Sequence, residues 1–167
     1  MAGSWSGLDE FLGSASVFAN TLTRVLEDSL AGTADGAEPL TLPQMRLLGL
    51  LARGPGLRVA DIARLQCVSD TAASRAVDRL VQRELVDRSE DPDNRRSVQV
   101  TVTPDGRARL ADYRRQVNRT LRGALGFAGA ATLQRLTAVM DEMTLGLMDA
   151  MENDASVCFG CNLWFRE

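Results

Sequence analysis

The sequence predicts a mainly α-helical fold with one small β element of two to three strands, and three observations carry that expectation. Aromatic residues make up only 5% of the 167-residue chain. That leaves a core of mostly Leu, Val and Ala, a composition suited to packed helices. Apolar residues recur at steps of three and four along most of the chain, which places them on one face of a 3.6-residue helix. One stretch breaks that rhythm. Val98, Val100 and Val102 alternate with Gln99, Thr101 and Thr103, the period of two that marks a half-buried strand.

The first helix lies within 8–30, with Leu8, Phe11, Leu12, Ala15, Phe18, Leu22, Val25 and Leu26 as its apolar stripe. The stretch AGTADGAE (31–38) ends it as a loop. Thr41 then stands as an N-cap with Gln44 three positions on, so hydroxyl and amide can each satisfy one orphan backbone N–H. Pro43 is tolerated in the first turn, where no helical hydrogen bond is lost. This second helix ends at RGPG (53–56). A shorter helix covers roughly Val59 to Gln66. CVSD (67–70) then forms a turn with Ser69 as candidate N-cap, and the next helix runs from about 70 to 83. Strands near 85–89 and 97–103 follow, joined through a turn at Asp91 to Asn94. Thr103 caps a long helix that has Pro104 in its first position and carries Leu110, Val117, Leu121 and Leu125. GFAG (126–129) interrupts. The last helix, about 131 to 152, carries Leu133, Leu136, Met140, Met143, Leu147 and Met151.

Helices 8–30, 104–125 and 131–152 have more apolar face than one small module can cover, which predicts a second copy of the chain. Residues 1–38 and 104–153 are therefore read as a helical dimerisation region and 39–103 as a binding region. Residues 154–167 form a separate tail bearing Cys and aromatic side chains.

Net charge is -3, yet it is unevenly placed. Residues 41–122 hold 16 Arg and 10 acids, a balance of +6, while the remainder holds 3 Arg and 12 acids, a balance of -9. A basic middle between acidic ends fits a polyanion-binding module on an acidic scaffold. Every one of the 19 cations is Arg, and its planar fork suits phosphates and guanine edges. The chain has no His, which removes the commonest general base and metal ligand. With no Gly-rich phosphate loop and no paired carboxylates either, an enzyme is not expected.

Two short helices across a tight turn, the second exposing Thr, Ser and Arg, match a helix-turn-helix. Only the major groove of B-DNA admits a helix, and its base edges carry distinguishable donors and acceptors. Ser74, Arg75 and Arg79 are the residues read as facing that groove, with Thr71 and Ala72 at the helix start nearest the bases. The plainer alternative is a solvated amphipathic helix. Arg95 and Arg96 sit side by side in the hairpin tip, where they serve neither core nor turn. Guanidinium groups there suit the negative potential of a narrow minor groove.

The ordered set resembles the MarR family of winged helix-turn-helix regulators over about residues 8–152. The family's L-V-x-R is matched by Leu85, Val86, Asp87 and Arg88. Its wing pattern falls on Asn94, Arg95 and Arg96, then Val102 and Thr103, and its helix-starting Gly on Gly106. Three positions depart from it. Asn94 replaces an Asp, Glu84 the Gly before Leu85, and Cys67 the Gly of the helix-turn-helix turn. The resemblance implies Arg96 in the minor groove, Thr71 to Arg79 on the groove-facing helix, and a homodimer built from the first and last two helices. It also implies an effector pocket between the dimerisation and DNA-binding parts. The expected function is a repressor that binds a near-palindromic operator in double-stranded DNA and is released by an effector of unknown identity.

Cys158 and Cys161 form C-x-x-C in the tail, a spacing that can chelate one metal or iron–sulfur cluster, close a disulfide, or hold two passive thiols. Two thiolates are two ligands short of a closed tetrahedral site, and Cys67 is one candidate for the remainder. A small buried thiol at a turn is the plainer reading of Cys67. Were the cysteines a sensor, the winged module could serve protein rather than DNA contacts. Three cysteines are too few for a disulfide framework. The segment MAGSWSGLDE is unlike a secretory leader, and no apolar run approaches a membrane span. A cytoplasmic protein is expected.

Overall fold

The computed structural model describes residues 6–31, 39–91 and 94–150. Helix α1 spans Ser6–Ala31, α2 Leu42–Leu51, α3 Val59–Leu65 and α4 Asp70–Val81. Strands β1 (Val86–Asp91) and β2 (Asn94–Val102) form an antiparallel hairpin, and α5 (Pro104–Leu125) and α6 (Ala130–Ala150) follow. No described helix is long and apolar enough to cross a membrane.

Helix starts follow from local chemistry. Thr41 Oγ1 accepts from Gln44 N at 3.4 Å and Gln44 Oε1 accepts from Thr41 N at 2.9 Å, the reciprocal cap expected of that spacing. Thr103 does more than cap. Its Oγ1 accepts from Gly106 N at 3.0 Å and donates to Glu84 O at 2.8 Å, while Thr103 N donates to Leu85 O at 3.1 Å. The start of α5 is thereby pinned to the strand entrance. Gly106 is required by that approach: a Cβ there would stand 2.1 Å from Leu85 O.

One core joins these elements. Met45, Leu47, Leu48 and Leu51 of α2, Ile62 of α3, Val77 and Leu80 of α4, and Val86 and Val100 of the hairpin base are fully buried together with Tyr113 and Val117 of α5. The second half of α1 joins through Leu26 and Leu30, and Tyr113 Oη donates to Leu26 O at 3.2 Å across that contact.

The hairpin register runs from Val86↔Val102 to Glu90↔Val98, then shifts so that Asp91 pairs with Asn94. The ladder therefore extends further toward the tip than the apolar alternation indicates, and Asp91 and Asn94 lie in strands rather than in the turn. Backbone pairing can continue beyond the core edge because its hydrogen bonds need no buried side chain, and the register shifts between Glu90 and Asp91. The third strand reduces to one residue: Leu57 and Val100 exchange backbone hydrogen bonds of 3.0 and 2.8 Å.

Candidate nucleic-acid interface

Helix α4 is oriented by its buried face. Ser69 Oγ accepts from Ala72 N at 3.2 Å, and Asp70 sits in the first turn, where the helix dipole favours a carboxylate. Ala73, Val77 and Leu80 are all fully buried, at spacings that lock one side of the helix onto the core. The opposite side is fixed by the same constraint. Thr71, Ala72, Arg75 and Arg79 are exposed, and Ser74 and Asp78 are half-buried beside them. Arg75 and Arg79, one turn apart, make no ion pair or hydrogen bond among the described residues. The surface thus offers two hydroxyls and two unengaged guanidinium forks, donors suited to phosphate oxygens and to base-edge acceptors.

Arg95 and Arg96 occupy the second and third positions of β2, at the tip end of the hairpin. The hairpin leaves the core near Val98, which is 53% exposed while Val100 is fully buried. The base of the hairpin and α4 share one core through Val86, Val100 and Leu80.

An ion pair between those two elements was not foreseen. Arg88 Nη2 of β1 lies 2.8 Å from Asp78 Oδ1 of α4. Strand alternation signals it in part, because Arg88 shares the face of buried Val86. Which carboxylate it would meet depends on how α4 packs.

Cys67 is exposed, not buried, which corrects the expectation for it. Its φ is +52°, and it lies in the exposed turn between α3 and α4. Glu84 has φ +58°, so both positions where Gly is usual adopt the conformation that favours Gly. No group of three or more His, Cys, Asp or Glu among the described residues is placed to hold a metal. Cys158 and Cys161 lie outside the described residues.

Between the end of α2 and the first half of α5 lies a hollow of ≈ 390 Å³ lined by Ala52, Arg107, Leu110, Arg114, Arg115 and Asn118. Arg107 Nη1 donates to Ala52 O at 3.2 Å across it, and Arg115 pairs with Asp112. Nearby, burial pushes the Tyr113 hydroxyl up to about 12, against the opposing pull of Arg46.

Residues 40–98 match the sequence model described as the MarR family. No curated protein matches the chain. Among solved structures it is similar to a MarR family protein from Bacillus stearothermophilus, at 17% identity and TM-score 0.74 over 88% of this chain and 99% of that one. It is also similar to RV1404 from Mycobacterium tuberculosis, at 25% identity and TM-score 0.71 over 86% and 97%. A third is CouR from Rhodococcus jostii RHA1, bound to p-coumaroyl-CoA, at 19% identity and TM-score 0.66 over 84% and 95%. Residues 40–98 thus match the MarR family, and the fold from α1 to α6 is the winged-helix fold of these structures.

Proposed function

We propose that the protein is a sequence-specific transcriptional repressor that binds double-stranded DNA as a homodimer and is released by a small-molecule effector. The observation that carries this reading is the outward face of α4. Thr71, Ala72, Ser74, Arg75 and Arg79 are grouped there, with neither Arg75 nor Arg79 engaged by another described residue. In this reading α4 enters the major groove and Arg95 and Arg96 follow the adjacent minor groove. Residues 39–103 form the DNA-binding region, and 1–38 with 104–153 pair with a second copy. Two copies of α4 spaced by roughly 34 Å, one helical turn, then meet a near-palindromic site.

The hollow between α2 and α5 joins these two regions and supports an effector site, and the bound p-coumaroyl-CoA of CouR is a precedent for a small-molecule ligand on this fold. The cysteines of residues 154–167 offer a metal, iron–sulfur or redox signal instead. Metal and cluster analysis of anaerobically purified protein distinguishes the two.

The test of DNA binding is selection from a random duplex library followed by anisotropy with the enriched sequence across a salt series. For a dimer neutralising on the order of 8 phosphates, log affinity falls against log salt with slope about -7. Absence of any enriched sequence would overturn the DNA reading and leave the winged module to protein contacts.

A further inference from the structure

Beyond its first turn α4 carries one carboxylate, Asp78, and its place on the helix is awkward for an anion-binding face. Asp78 lies three residues after Arg75 and four after Ser74, the spacings at which helical side chains meet. On an isolated helix an Asp there would compete for Arg75. In the structure Arg88 reaches across from β1 and takes the carboxylate at 2.8 Å, while Arg75 makes no ion pair among the described residues. The reach is built into the hairpin. Arg88 shares the face of fully buried Val86 and pairs across the ladder with fully buried Val100. The next cross-strand partner on that face, Val98, is already half exposed. Arg88 is thus the last inward-facing side chain of β1 before the hairpin leaves the core.

We propose that Arg88 is a positioning residue for DNA binding: by holding Asp78 it keeps Arg75 available to DNA and neutralises the carboxylate beside it. The inference rests on the DNA-binding reading above. Both partners are partly solvent-exposed, at 40% and 47%, so the pair adds little to fold stability and its variants remain folded.

The experiment compares the wild-type chain with Arg88→Gln, Asp78→Asn and the double variant, using a labelled duplex of the sequence that the wild type enriches from a random library. Arg88→Gln leaves the Asp78 carboxylate unneutralised beside the DNA phosphates and free to draw on Arg75. Affinity is expected to fall on the order of tenfold and the log–log salt slope to lose about one unit. Asp78→Asn alone binds within about threefold of wild type, and adding it to Arg88→Gln restores both affinity and slope to that range. A mere tether between wing and helix predicts the opposite pattern, equal losses in both single variants without rescue. A direct phosphate contact by Arg88 likewise predicts no rescue. Either result overturns the proposal, as does unchanged binding by Arg88→Gln. If the wild type enriches no duplex, the DNA reading itself fails. If it does and all four proteins bind alike, only the role of Arg88 fails.

Discussion

The segment from α2 to the hairpin and the flanking helices α1 and α6 use similar apolar side chains, and they differ in where those side chains end up. Leu47, Leu48, Ile62, Val77 and Leu80 have no exposed surface. On α6, Leu133, Leu136, Met140, Met143 and Leu147 are exposed, and on the first half of α1 so are Leu8, Phe11, Leu12 and Phe18. The change occurs within α1 itself, since Leu26 and Leu30, about two to three turns after Phe18, are buried where α1 packs on α5. A large apolar side chain moved fully out of water contributes roughly 1.5–3 kcal/mol, so a face of this size is not left to solvent at random. The first region is complete as one chain. The second carries the exposed apolar face that, in the reading proposed above, pairs with a second copy.

The sharpest way to break that contrast is Leu136→Asp. In a monomer, a substitution at a half-exposed surface site changes stability by only about 0.5 kcal/mol. If α6 pairs with a second copy, sedimentation shifts from dimer to monomer, and affinity for the selected duplex falls by about 10²- to 10⁴-fold because two linked half-sites become two independent ones. The melting temperature of the wild type should also rise with protein concentration, which a monomeric fold does not show.

Next in size is Gly106→Ala, which attacks the finished region. The new methyl meets the Leu85 carbonyl at 2.1 Å and the Val102 side chain at 2.8 Å. A backbone carbonyl cannot swing aside as a flexible side chain can, so the start of α5 must move. A loss of about 3 kcal/mol is expected by denaturant titration, independent of protein concentration.

Tyr113 links the two regions and gives a pH signature. Burial raises its hydroxyl from the ordinary 10.0 to about 12, so between those values the folded chain holds a proton that the unfolded chain has lost. Stability from this group is therefore complete below about pH 10 and drains away as pH rises toward about 12, by roughly 2–3 kcal/mol in all. Tyr113→Phe removes the hydrogen bond to Leu26 O and costs about 1 kcal/mol near neutrality. It should also flatten the alkaline limb of stability measured by urea titration at successive pH values. An alkaline limb of the same depth in both proteins would assign the loss to other groups.

What could be read in the sequence divides along the same physical line as local versus distant causes. The caps at Thr41, Ser69 and Thr103 were legible because each is a contact within three residues, and so was the buried side of α4, because its spacing obeys one helical period. The tip of the hairpin was not: Asp91 and Asn94 are held by backbone pairing that no apolar alternation reports. The partnership of Arg88 with Asp78, like that of Tyr113 with Leu26, joins positions distant in sequence and is decided by packing. Cys67 misled for a subtler reason. Residue type alone suggests burial, whereas the turn that holds it is exposed and has a left-handed backbone there.

That backbone yields the smallest expected effect. Cys67 and Glu84 bracket α4, both in the left-handed region at φ +52° and +58°, where a side chain costs about 1–2 kcal/mol relative to Gly. Replacement by Gly relieves that strain but widens the unfolded ensemble, which returns roughly 0.4–1 kcal/mol of the gain. The net for Cys67→Gly and for Glu84→Gly is stabilisation of about 0.5–1 kcal/mol each, a rise of roughly 2–4 °C in melting temperature per kcal/mol for a chain of this size. The two sites lie at opposite ends of a 12-residue helix and share no contact, so the gains should add. Cys67→Val should move the other way, because a β-branched side chain tolerates positive φ worst. Were both Gly variants neutral or destabilising, the turns flanking α4 would not be strained, and the departures from Gly at these positions would carry no stability cost.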